Sequence, residues 1–150
     1  MAKGTATYDY PNALESSQYD MWLRQLIAGW GGPAGIETFA PSLSGDPQAR
    51  AWCAGLFRAG SSPGAIKGVL MALRDMDVRH LLGRISVPTL VLHRHDDRAV
   101  RIGAGRHLAS HIVRARFVEL DGADRWSFAG DQQPVLDGIK QFVGSLAGKV

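Results

Sequence analysis

Two polar segments, each directly after an apolar run, hold most of the residues that could do acid–base or metal chemistry. The first is HRHDDR at positions 93–98, and the second is DGADRW at positions 121–126. Carboxylates and imidazoles in such segments can exchange protons with a substrate, and both are also metal ligands. The segments are therefore the candidate sites, provided that the fold brings them together.

The elements between the two segments predict that they meet. Pro88 opens a continuous apolar run, Thr89–His93, which is typical of a strand buried on both faces of a parallel sheet. A helix over about Gly103–Ile112 and a second strand, Ala115–Leu120, follow. Two parallel strands joined by a right-handed helical crossover place both polar segments at the same carboxyl edge of the sheet, where ligands of open α/β sheets gather.

The first half of the chain is predicted to be helical, after an arm or tether over residues 1–12. Apolar residues recur at helical spacing, and Asp-Pro or Ser-Pro pairs supply an N-cap followed by a first-turn proline. The predicted helical segments are about Ala13–Trp30, one opening at Asp46-Pro47, one opening at Ser62-Pro63, a short turn over 77–84 and a last helix over about Gln133–Leu146.

Composition is that of an ordinary globular domain. The 150 residues carry a formal net charge of +3, and the basic residues form no run or known motif, so no nucleic-acid partner is expected. The sequence contains no stretch of about 18 apolar residues, so no membrane span is predicted. The N-terminus lacks the apolar core of a signal peptide, so we expect the protein to be cytoplasmic. The single cysteine, Cys53, excludes an internal disulfide and is expected to be a packed core thiol.

Four stretches carry a resemblance to a known family. DVRHLLGRISVPTLVLHRHDDRAV, from Asp77, and FVELDGADRWSFAGD, from Phe117, resemble the C-terminal half of an α/β-hydrolase, while APSLSGDPQARAW and SSPGAIKGVL are similar to its helical cap. The likeness is nearest to actinobacterial hydrolase-like domains, some of them fused to class III adenylate cyclases. It implies a partial α/β-hydrolase-like fold: a cap of about three helices, then a β-α-β-α unit with parallel strands. The implied regions are an N-terminal arm (1–12), a cap-like region (13–77) and a core-like region (78–150).

The resemblance implies a degenerate catalytic triad. Asp97 matches the family's acid, with Asp96 where glycine is common, and Arg125 occupies the position of the catalytic histidine. Arginine stays protonated and accepts no hydrogen bond, so it cannot take a proton from a nucleophile. The one Gly-x-Ser-x-Gly match, GSSPG at 60–64, lies between two predicted helices, so the strand-to-helix elbow that presents a nucleophile is absent. We therefore expect no hydrolase activity from this chain alone.

The converging loops predict an ion pair and a crevice instead. Asp97 and Arg125 are expected to form a salt bridge in place of the acid–histidine hydrogen bond. The residues expected around the crevice are Asp96, Arg98, Asp124, Trp126 and Phe128.

A metal site is the alternative interpretation of the first segment. His93, His95 and Asp97 resemble a metallo-β-lactamase loop, but Arg98 stands where that motif needs a further histidine. A cation beside a divalent metal is unfavourable, so no cofactor is expected.

The exposed edge of a two-stranded parallel sheet predicts association. Such a sheet is unpaired at its edges, and Thr89–His93 is too apolar for an exposed edge. We expect either a homodimer or a partner that supplies the missing N-terminal strands. Three functions follow: a non-catalytic association module, a hydrolase active on an ester or related acyl substrate when a partner completes it, and a metal-binding protein.

Overall fold

The computed structural model describes residues 1–147, in which helices surround a two-stranded parallel sheet. No helix in this range is both long enough and apolar enough to cross a lipid bilayer. In chain order the elements are α1 (Ser16–Ala28), α2 (Ile36–Phe39), a 3₁₀ turn (Pro41–Leu43), α3 (Pro47–Gly60), α4 (Pro63–Asp75), α5 (Arg79–Leu82), β1 (Thr89–Arg94), α6 (Ile102–His111), β2 (Ala115–Leu120) and α7 (Gln133–Ala147).

Local capping chemistry starts α3 and α4 where the sequence predicts. The Asp46 carboxylate accepts a hydrogen bond from the Gln48 N–H at 2.7 Å, and the Ser62 hydroxyl accepts one from the Ala65 N–H at 3.2 Å. Each helix has proline in its first turn. Each cap satisfies a backbone donor that a helix start otherwise leaves unpaired.

The parallel sheet confirms the predicted crossover. β1 pairs with β2 in register from Thr89 opposite Ala115 to Arg94 opposite Leu120, so both strands end at one edge. Successive strand residues point to opposite faces. His93 lies against Gly105 of α6, whereas Leu92 lies against Gly138 of α7. The two helices therefore cover opposite faces of the sheet.

The segment predicted as an arm or tether, residues 1–12, is packed against the core. Ala2 and Tyr10 are fully buried, and the Lys3 ammonium lies 3.0 Å from the Asp77 carboxylate. Ala2 joins a cluster with Leu82 and Ile112. The segment therefore covers apolar helix surface that the two-stranded sheet is too small to bury. This burial depends on tertiary contacts and could not be predicted from the polar residues of the segment.

The linker between the first two predicted helices holds two short helical elements that the prediction missed. α2 and the 3₁₀ turn are four and three residues long, too short for a period to show in the sequence. They are held by packing, because Ile36, Ala40 and Cys53 are fully buried in one cluster. The expectation of a core thiol is confirmed, and burial raises the pKa of Cys53.

Much apolar surface stays uncovered. α4 and α7, both amphipathic by sequence, contain no buried residue over the described range. The accessible surface is 8789 Å², whereas a compact monomer of 16.2 kDa is expected to expose about 7,450 Å². The excess, about 1,340 Å², is larger than one side of a standard protein–protein interface, which is about 800 Å².

Candidate functional site

Asp97 follows the end of β1 and is held rigidly. The residue is 8% exposed, and its Oδ1 accepts hydrogen bonds from the N–H groups of Ala99 at 2.8 Å and Val100 at 3.0 Å. This is the local turn that aspartate favours after a strand. Its other oxygen, Oδ2, is left to face the loop after β2.

Arg125 reaches Asp97 from that second loop. Its Nη1 donates to Asp97 Oδ2 at 3.2 Å, so the predicted salt bridge is confirmed. The backbone N–H groups of Arg125 and Trp126 both donate to the Phe39 carbonyl, at 2.7 and 3.1 Å. The end of α2 thus fixes the loop that carries the arginine. The side chain is 43% exposed, whereas that of Asp97 is 3% exposed.

The two histidines of the first segment face different surroundings. His93 is 6% exposed, its Nε2 lies 2.8 Å from the Val100 carbonyl and 3.6 Å from Asp97 Oδ2, and its ring rests on Gly105. His95 lies beyond the strand end and is exposed, with Nδ1 2.6 Å from Glu119. That hydrogen bond raises the pKa of His95.

These positions do not form the alternative metal site. Among residues 1–147, no three histidine, cysteine or carboxylate side chains are grouped so that they could hold a metal ion. β1 ends at Arg94, and the turn that follows carries His95 away from His93 and Asp97. Each imidazole has taken another partner.

Arg94 is a residue of this edge that sequence reasoning missed. It is 7% exposed and donates to the carbonyls of Asp121 at 3.0 Å, Ala129 at 3.1 Å and Asp131 at 2.7 Å. A buried guanidinium needs such acceptors. Arg94 therefore holds the loop after β2 against the end of β1. The sequence feature that could have indicated this role is a charged residue at the end of an apolar strand.

Asp124 is structural in this fold. It is 5% exposed, accepts a hydrogen bond from the Ser42 N–H at 3.0 Å and lies against Gly130. It ties the 3₁₀ turn to the loop after β2. Asp96 is exposed beside His95, and the Arg98 guanidinium donates to the Glu37 carbonyl at 3.4 Å.

Three of the five predicted crevice residues line two neighbouring concavities, whereas Arg98 lines a third cavity and Asp96 is exposed on the turn after β1. Asp97, Asp124 and Arg125 line a groove of about 270 Å³ together with side chains of β1 and α7. Trp126 and Phe128 stack on each other with ring centroids 5.4 Å apart and line a separate apolar crevice of about 250 Å³.

This architecture, helices over the carboxyl edge of a parallel sheet that carries an acid after one strand, is an α/β-hydrolase-like fold. No protein-family model matches the chain. The chain is 32% identical over 99 residues to the AB hydrolase superfamily protein YisY of Bacillus subtilis, an alignment that spans 66% of this chain and 37% of YisY. The sequence is thus homologous to part of an α/β-hydrolase superfamily protein.

Solved structures agree on the fold. A bromoperoxidase from Bacillus anthracis superimposes with a TM-score of 0.78 at 18% identity, over 95% of this chain and 54% of that one. An esterase from Exiguobacterium antarcticum gives a TM-score of 0.70 at 20% identity, over 99% of this chain and 53% of that one. The chain spans about half the length of these structures, and just over a third of the curated relative.

Proposed function

We propose that this chain is a hydrolase-related domain that has no hydrolase activity on its own and acts in association with a second copy of itself or with another polypeptide. The observation that carries the first part is the ion pair between Asp97 and Arg125. In the family that the sequence resembles, this acid orients an imidazole. Here it holds a group that stays protonated at every physiological pH.

No other base replaces the missing imidazole at this edge. The nearest candidate, His93, lines the groove but is buried, and its Nε2 is engaged with the Val100 carbonyl at 2.8 Å. A general base must lie within hydrogen-bond reach of the proton that it removes. The Gly-x-Ser-x-Gly match at 60–64 joins α3 to α4, and its Ser62 hydroxyl caps α4, so it is not a strand-to-helix elbow. Together these observations support a non-catalytic chain.

Hydrolysis of p-nitrophenyl acetate tests this proposal. We expect the purified chain to match a heat-denatured sample of itself. Arg125→His is expected to stay at that level as well, because a base without a nucleophile does not complete the triad. Turnover by the native chain that is lost in Asp97→Ala would contradict the proposal.

The association part rests on the uncovered surface. β1 has one strand neighbour among residues 1–147, so its other edge is unpaired. Beside the sheet, α7 exposes Leu136 (47%), Ile139 (44%) and Val143 (56%) at helical spacing. An unpaired strand edge bordered by apolar side chains is a template for another chain. The solved relatives, which are about twice as long, have further chain available to cover such a surface.

Light scattering after size-exclusion chromatography tests the association. We expect a dimer of twice the 16.2 kDa chain mass that Ile139→Lys shifts towards monomer. Val113→Lys is the matched control, because Val113 is 82% exposed in the turn before β2. A wild-type monomer that unfolds cooperatively would contradict self-association. The partner to test is then a hydrolase-like chain that covers the same surface. The resemblance to cyclase-fused domains makes a signalling enzyme a second candidate partner.

One observation favours a second function, a hydrolase completed by a partner. Asp97 keeps the arrangement that a triad acid needs: two backbone N–H groups hold Oδ1, and Oδ2 points across the groove. A partner that supplies both nucleophile and base could use it. Ester turnover by the complex that disappears in Asp97→Ala would support this alternative.

A further inference from the structure

We propose that a cavity between the N-terminal segment, α1 and the loop after β1 binds a small organic monoanion, either an aromatic or a short aliphatic carboxylate. The cavity has a volume of about 230 Å³. It borders the ion pair through Arg125, but it opens among different elements from the groove that contains Asp97. The inference depends neither on hydrolysis nor on association.

The charge of the cavity selects an anion. Arg98, Arg101 and Arg125 all line it, and no aspartate or glutamate does. One of the three, Arg125, is shared with Asp97, which lies outside the lining. The walls therefore concentrate positive charge around one space, and a carboxylate in it can accept paired N–H donors from the arginines.

Arg101 is the most available of these cations. Its guanidinium makes no hydrogen bond or ion pair with any residue in the range 1–147 and plays no part in capping α6, where only the Arg101 carbonyl accepts a bond, from the Ala104 N–H at 2.9 Å. Arg98 makes only a long bond of 3.4 Å, to the Glu37 carbonyl. Both guanidiniums therefore have donors to offer a ligand, and a change at Arg101 removes no contact that holds the fold.

The remaining walls select an apolar body. Trp22, Phe39 and Leu73 line the cavity. Tyr19 also lines the cavity. Its hydroxyl donates to the Leu70 carbonyl at 2.8 Å, so only its ring is available to contact a ligand. The volume is below the roughly 300–1,000 Å³ of sites for drug-sized molecules. A ring or short chain that carries one carboxylate fits these walls better than a bare inorganic anion.

Calorimetric titration of the purified full chain with sodium benzoate tests the proposal. Benzamide, a neutral molecule of the same shape, is the ligand control, and we expect it to bind at least about tenfold more weakly, because it lacks the charge. Arg101→Gln is expected to weaken benzoate binding at least about fivefold. Arg114→Gln is the protein control, since Arg114 is exposed and lies outside the cavity lining; it should bind benzoate as wild type does.

Three results would overturn the proposal: no benzoate binding up to about 50 mM, equal binding of benzoate and benzamide, or equal affinities of Arg101→Gln and Arg114→Gln. Inorganic phosphate binding as tightly as benzoate would also count against it, since the apolar walls would then contribute nothing. If Arg101→Gln fails to fold by circular dichroism, Arg98→Gln takes its place with the same expected loss. The titration does not depend on ester turnover or on oligomeric state. The proposed ligand site can therefore be refuted while the proposed function stands, and the reverse also holds.

Discussion

Arg125→Gln removes the cation that faces a buried carboxylate. In the native chain, Asp97 Oδ2 lies 3.2 Å from the guanidinium, and Oδ1 is already satisfied by the backbone N–H groups of Ala99 and Val100. With glutamine at position 125, Oδ2 keeps only the His93 imidazole, 3.6 Å away. That distance is too long for a hydrogen bond. The substitution therefore leaves half of a buried anion without a partner.

The size of the effect follows from burial. A hydrogen bond to a charged group contributes about 1.5–3 kcal/mol. The Arg125 side chain is 43% exposed, so solvent screening moves the value to the lower end of that range. We expect Arg125→Gln to lower the free energy of unfolding by about 1–2 kcal/mol, which corresponds to a melting temperature lower by about 3–6 °C for a chain of this length.

Urea unfolding followed by circular dichroism measures the loss. Arg114→Gln is the matched control, because Arg114 is exposed and makes only a 3.5 Å bond to the Ser86 carbonyl; it should cost less than about 0.5 kcal/mol. A double-mutant cycle with Asp97→Asn isolates the pair, since the asparagine oxygen can still accept the two backbone N–H bonds. Equal losses in Arg125→Gln and Arg114→Gln, or an Arg125→Gln loss that is unchanged by Asp97→Asn, would refute the reasoning.

Three further changes test the packing and the edge. Gly105→Ala places a methyl group against the His93 ring and should destabilise the fold by about 1–3 kcal/mol in urea. Cys53→Ser puts a hydroxyl in a fully buried position and should cost about 1–3 kcal/mol in the same measurement. The hydrogen bond to Glu119 raises the pKa of His95, so its stabilisation is complete below the unfolded pKa of about 6.5 and is lost as the pH rises through the folded value. His95→Gln should therefore lower the melting temperature near about pH 6 but not near about pH 9.

Each of these has a result that would contradict it. Gly68 of α4 has open space around it, so Gly68→Ala should be neutral or stabilising; a Gly105→Ala variant that behaves the same way would mean that the His93 ring can move aside. Cys53→Ala lacks the hydroxyl, and an equal loss in Cys53→Ala and Cys53→Ser would assign the cost to packing alone. A His95→Gln effect of the same size at both pH values would show that the imidazole charge is not involved.

The elements that have local causes could be predicted from the residues alone. Asp46 and Ser62 cap α3 and α4 through bonds to residues two or three positions away, and the βαβ pattern allows one handedness of crossover. The parallel direction of the two strands brings the ends of β1 and β2 to one edge. The ion pair between Asp97 and Arg125 could therefore be predicted although 28 positions separate the two residues.

Which side chains are buried, and which surfaces contact each other, depends on how the whole chain packs. Tyr10 belongs to a polar N-terminal stretch, yet packing against Ala104 of α6 buries it completely. Arg94 becomes a buried clamp because three carbonyls from a distant loop converge on it. The cavity that joins Trp22 to Arg101 brings together segments far apart in the chain. Such contacts depend on how amphipathic surfaces pack, a property of the whole chain that no local spacing of residues records.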